Sequence, residues 1–153
     1  MARSGVSRRF VIRALTGALI IGAVGCGGGE QERWDSEREA WEAVRPSRYR
    51  FDYTVTGAAP GRGPWRIEVN GEQVVSVAYV GEGAAPMPGL TEATAPTVEA
   101  LFERVARARD QSSVQVTVRY DPQWHHPVEA YFDAGEEGDG FKAEALTAAP
   151  KGP

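Results

Sequence analysis

The chain has 153 residues, with 17 basic and 21 acidic side chains, two histidines and one cysteine. The acidic balance argues against a nucleic-acid partner, which needs clustered Lys and Arg to neutralise phosphates. The single cysteine excludes an intramolecular disulfide, so the 42% of hydrophobic residues must supply one modest core by packing alone.

Residues 1–25 read as an export signal. Arg3, Arg8, Arg9 and Arg13 form a basic start without an acidic residue, and the run Ala14–Gly25 that follows is uncharged. That run is shorter than the ~20 apolar residues a spanning helix needs. Ala23-Val24-Gly25-Cys26 resembles the bacterial lipobox, with Ala23 where leucine is usual, and marks Cys26 as the lipid-bearing residue. An ordinary signal peptide would be cut at the same place and leave Cys26 bare. Lipidation is the expectation, because Cys26 has no disulfide partner and Gly27-Gly28-Gly29 behind it suits a tether. Ser7-Arg8-Arg9-Phe10-Val11-Ile12-Arg13 also resembles the twin-arginine export motif; the general route fits these residues equally well. Export would remove 25 residues, four basic and none acidic, leaving 13 basic against 21 acidic groups, a charge of −8. Such a chain does not adsorb on anionic membranes, so attachment would come from lipid.

Glu30–Val44 has helical spacing, with Trp34, Trp41 and Val44 on one stripe and Arg38–Glu42 as an i,i+4 pair. Ser36 and Glu39 have the spacing of a capping box, which predicts a stable start near Asp35, and Pro46 ends the helix. Arg48–Val55 alternates without error, placing Tyr49, Phe51, Tyr53 and Val55 on one face of a strand. Trp65–Val69 alternates again and Asn70-Gly71 signals a hairpin to Gln73–Val80. A two-residue turn there would pair Val69 with Glu72, leaving Val75, Val77 and Tyr79 on the wrong face. Either the return strand is covered on both faces or a bulge swaps them; the expectation is cover on both faces. Residues 81–96 form a long Gly/Pro/Ala/Thr loop, read as a mobile connection.

Thr97–Asp110 is the clearest helix, with Thr97 as N-cap and Val98, Leu101, Phe102, Val105 and Ala108 as its core stripe. Glu99 near its start and Arg107 and Arg109 near its end suit the helix dipole. Val114–Tyr120 and Val128–Asp133 are strands joined by Asp121–Pro127, an acidic Gly-rich loop follows, and Phe141–Leu146 is a weaker last strand.

Trp41, Tyr49-Arg50-Phe51, Val69-Asn70-Gly71-Glu72, Val75-Ser76-Val77, Thr97–Phe102 and Val116–Pro122 followed by Pro127 resemble the small bacterial lipoproteins called domain of unknown function 6174. The likeness runs roughly from Trp41 to Asp133. It implies a fold and a location, and it lends no site, since the family has no established activity. Two departures stand out. Gly57-Ala58-Ala59-Pro60 lies where such proteins often carry a cysteine pair, and Trp124-His125-His126-Pro127 replaces an aromatic-Gly-aromatic-Pro turn.

Ligand-type side chains gather only in Asp121, His125, His126 and Asp133. A zinc site needs three or four converging ligands, and adjacent histidines in extended chain point apart. A serine hydrolase would need a supported nucleophile elbow, and no Gly-x-Ser-x-Gly is present. Asp133–Glu144 superficially matches a calcium loop, with Glu137 and Gly138 in place, but Gly135 stands at its third position and its flanks read as strands. No nucleotide loop or Cys-x-x-Cys occurs, so no cofactor or metal is expected.

The sequence thus predicts an α+β fold: an antiparallel sheet of five or six strands, one helix packed across a face, and an N-terminal helix. Its expected organisation is a signal at 1–25, a lipid-anchored tether at 26–33, one domain at 34–146 and a disordered tail at 147–153. The expected role is a non-catalytic binding or interaction module in the cell envelope, held to the membrane by lipid on Cys26 and facing an unknown envelope partner. The alternative is a small metal-dependent or hydrolytic enzyme using the 121–133 cluster; a third reading is a passive structural lipoprotein.

Overall fold

A computed structural model of the chain describes residues 28–57, 62–135 and 138–149. The expected signal and Cys26, with the lipid attachment expected there, lie outside the described residues. Eight elements follow in order: α1 (Gly28–Val44), β1 (Arg48–Thr56), β2 (Trp65–Asn70), β3 (Gln73–Tyr79), α2 (Val98–Arg109), β4 (Gln115–Tyr120), β5 (Pro127–Asp133) and β6 (Asp139–Ala148). The strands form one antiparallel sheet in the order β3-β2-β1-β6-β5-β4. No helix among the described residues is long and apolar enough to cross a membrane.

The core lies between one sheet face and the helices. Tyr49, Phe51 and Tyr53 of β1, Ile67 and Val69 of β2, Ala130 and Phe132 of β5, and Phe141 and Ala143 of β6 alternate inward. They meet Val98, Leu101, Phe102 and Val105, the predicted stripe of α2. Thr97 caps this helix as expected, its Oγ1 accepting the Ala100 N–H at 3.2 Å. α1 docks through its tryptophans: Trp34 meets Phe102 edge-on at 6.3 Å, and Trp41, fully buried, meets Tyr49 at 5.4 Å.

The first helix departs from expectation at both ends. It begins at Gly28, inside the segment 26–33 expected to be a tether, so Ser36 and Glu39 stand in its interior and cap nothing. Val44, expected on the buried stripe, is 43% exposed at its last turn. At the other terminus β6 continues through Thr147 and Ala148, which pair with Arg50 and Tyr49. Both fall in the tail that the sequence predicts, and backbone pairing with β1 holds them in the sheet.

The β2–β3 hairpin turns one residue later than Asn70-Gly71 predicts, with Asn70 opposite Gln73 and Val69 opposite Val74. Beyond that pair the register slips, and Glu68 faces Ser76. Val75 is the extra residue, 40% exposed. This bulge corrects the expectation of a strand covered on both faces: it returns Val77 and Tyr79 to the side of Ile67 and Trp65. A second irregularity in β6 places Ala145 at φ 54° and restores Leu146 to the core. The 81–96 loop, expected to be mobile, lies against the domain. Leu90 and Ala95 pack on the core, and a Cβ on Gly89 would stand 2.9 Å from the Trp65 ring.

Candidate functional site

The Asp121–Pro127 segment is a tight turn built by its own backbone. Asp121 Oδ1 accepts the N–H groups of Gln123 (2.8 Å) and Trp124 (2.7 Å), and its carbonyl accepts the His125 N–H at 2.9 Å. The aspartate is thereby committed to the turn, as Asp is suited to be. His125 sits at φ 62°, in the left-handed region that glycine enters freely. A glycine at this place would meet no such steric cost.

The two histidines diverge. His125 turns towards α1, its Nδ1 2.9 Å from Glu37 Oε2. His126 turns into the core, where it is 1% exposed and lies 6.2 Å from the Trp41 ring. Its Nε2 lies 3.1 Å from the Ala143 carbonyl, which only accepts, so Nε2 carries the proton and Nδ1 is bare. Nδ1 has no hydrogen-bond partner. Burial pulls the His126 pKa below 6.5, against the opposing pull of the Ala143 carbonyl and Asp121, and keeps the ring neutral.

Asp133 does not join them. It ends β5, six steps from Pro127 and therefore about 20 Å away, where its Oδ1 accepts the Gly135 N–H at 3.0 Å. Thus Asp121, His125, His126 and Asp133 form no common centre. Of the calcium-like loop, Glu137 lies outside the described residues, and Glu144 pairs with Asp52 in mid-sheet. No group of three or more metal-ligating side chains occurs among the described residues.

Two arrangements escaped the sequence reading. The first is a polar node at the start of α2. Glu99 accepts the Trp41 indole N–H at 3.2 Å, Arg45 Nη1 at 2.7 Å and the Tyr49 hydroxyl at 3.1 Å. The Tyr49 oxygen in turn accepts the Val98 N–H at 3.2 Å. Burial alone would raise the Glu99 pKa, but these donors and its own backbone N–H outweigh it and leave the carboxyl below 4.5. Burial beside that carboxylate, with its charge, drives the Tyr49 pKa upward, so the phenol stays protonated and donates. The node joins α1, β1 and α2; its acid and donors are all used in holding them.

The second is the sheet face away from the helices, which is polar and, among the described residues, uncovered. Its cross-strand neighbours are charge pairs: Arg66 with Asp52 in a two-bond fork at 2.9 Å each, Arg48 with Glu68 at 3.4 Å, and Arg119 with Glu129 at 3.1 Å. Beside the last pair lies a recess of about 500 Å³, lined by Thr56, Gly57, Thr117, Arg119, Glu129 and Tyr131. Tyr131 was legible as an outward aromatic, because Ala130 and Phe132 on either side of it face the core.

A family model described as "Family of unknown function (DUF6174)" matches residues 33–138. No curated protein and no solved structure matches the chain.

Proposed function

The chain belongs to DUF6174, a family of unknown function, and we propose that it is a lipid-anchored cell-envelope protein whose domain is a non-catalytic binding module. The observation that carries the binding half is the uncovered polar sheet face with its recess beside Tyr131. A layer of paired charges and one exposed ring offers recognition groups. The ligand-type residues at 121–126, by contrast, are engaged in a turn, a contact with Glu37 of α1 and the core. The anchoring half is supported by the basic start, the short apolar run and Ala23-Val24-Gly25-Cys26.

Fractionation of cells expressing Cys26→Ser tests the anchor: the variant is expected to leave the membrane fraction, and retention there would refute lipidation at Cys26. Crosslinking in intact cells tests the module. A partner captured by the wild type and lost when the sheet face is altered supports it, while turnover of a substrate by the purified chain would replace it with an enzyme.

A further inference from the structure

The sheet has two edges, β3 and β4. An open edge carries a row of unpaired backbone N–H and C=O groups, and proteins blunt such edges with bulges, charges or cover. β3 is blunted by its bulge at Val75. Residues Gln115–Arg119 of β4, by contrast, pair with β5 in unbroken register and include neither glycine nor proline. Antiparallel pairing turns only half of their backbone groups towards β5. Among the described residues no other strand lies beside β4, and no turn or loop backbone bond ends on residues 115–120. A trough of about 500 Å³ runs there, lined by Val114–Thr117 on one side and by Glu30, Gln31 and Arg109 on the other. Successive side chains of a strand point to opposite faces, so a space that touches Gln115, Val116 and Thr117 in turn lies along the edge, in the plane of the sheet. An extended backbone fills that shape and pairs the open row.

Charge on the outer face selects the side chains. Arg119 pairs with Glu129 at 3.1 Å and Glu129 with Lys142 at 3.8 Å, so the row across β4, β5 and β6 alternates in sign and ends on a cation at the open edge. The Arg119 side chain is 61% exposed, and an acid on an added strand would continue the alternation. Glu30 in the trough wall disfavours an acid beside Val114–Thr117. On the other face Val116 and Val118 are partly buried against the core, which suits apolar neighbours. Neither edge strand of this chain contains an acid, and neither do residues 1–27 or 150–153. A second copy pairing edge to edge therefore lacks the complement to Arg119, and the complement comes from another protein.

We propose that β4 accepts an extended segment of a partner protein as an added strand, with an acidic side chain beside Arg119 and apolar ones beside Val116 and Val118. The assignment adds a surface to the binding-module reading above and does not depend on the recess beside Tyr131.

Titration of the purified full chain with the peptide Val-Thr-Val-Glu-Val-Thr-Val, carrying a polyethylene glycol tail for solubility and followed by NMR, tests it. Binding is expected to saturate, with amide shifts centred on Gln115–Arg119. Lysine in place of the peptide's glutamate should weaken binding by about tenfold, and Arg119→Glu should exchange that preference; thermal melts establish that the variant is folded. A strand offers β4 one of its two backbone edges, so N-methylation of alternate residues along one edge should abolish binding and along the other should spare it. No saturation, equal binding of the two methylated peptides, or an unchanged preference in folded Arg119→Glu overturns the assignment. A concentration-dependent dimer with the same amide shifts in the absence of peptide overturns it in favour of a second copy. The binding-module reading is tested separately by crosslinking and survives either failure.

Discussion

The indole N–H of Trp41 donates to the carboxylate of Glu99 at 3.2 Å across 58 residues of chain. The bond pins the C-terminal half of α1 to the first turn of α2, and Tyr49 ties the same carboxylate to β1. Removal of the acid strands several donors at once. Glu99→Ala is therefore expected to lower unfolding free energy by about 2–4 kcal/mol, measured by urea denaturation.

The same node sets an acid limb. The Glu99 pKa is depressed in the folded chain, so its contribution is complete above the unfolded value of about 4.3 and is lost as pH falls through the folded value. Glu99→Gln is expected to be less stable at neutral pH and to show a shallower loss of stability below about pH 4.

His126 acts in a higher window. Its pKa is lowered by burial, so the unfolded chain takes up a proton near 6.5 that the folded chain resists. Its contribution is complete above that pH and is lost as pH falls below it, towards the folded value. Denaturant midpoints should fall between pH 7.5 and 5, and His126→Phe should remove much of that slope. An unchanged slope in a folded variant would assign the dependence to another group.

The bulge in β3 predicts opposite outcomes at neighbouring valines. Val74 packs against the core and Val75 is the exposed extra residue. Val74→Asp should cost about 2 kcal/mol by burying a charge at an apolar site, whereas Val75→Lys should lie within about 0.5 kcal/mol of wild type. Equal effects would refute the register slip.

At His125 the backbone dominates. His125→Gly relieves the positive φ while losing the contact to Glu37, and its stability is expected within about 1 kcal/mol of wild type. His125→Val places a branched side chain in the same conformation and should cost about 1–2 kcal/mol. Thermal melts of the pair separate backbone strain from loss of the imidazole.

Local chemistry determined much of this protein from its sequence. Alternation in Arg48–Val55 and the 3,4-spaced stripe of α2 named the inward faces, because side-chain direction follows backbone period. Thr97 marked a helix start for the same local reason, a hydroxyl placed to accept the Ala100 N–H. His125 and His126 diverge as expected, but for another reason: His125 sits at φ 62° in a turn, not in extended chain. Other features depended on partners far along the chain. Val75 became the bulge residue because Ile67 and Trp65 require Val77 and Tyr79 on their side. Ser36 failed as a cap because nothing in its spacing says that the helix already runs from Gly28. Glu99 looks like an ordinary first-turn acid until Trp41 and Tyr49 are brought to it, and Tyr131 meets Gly138 only because the chain just before β6 runs beside its ring. Period, cap and turn are set within a few residues, whereas register, buried polar pairing and the shape of a recess arise only where distant segments meet.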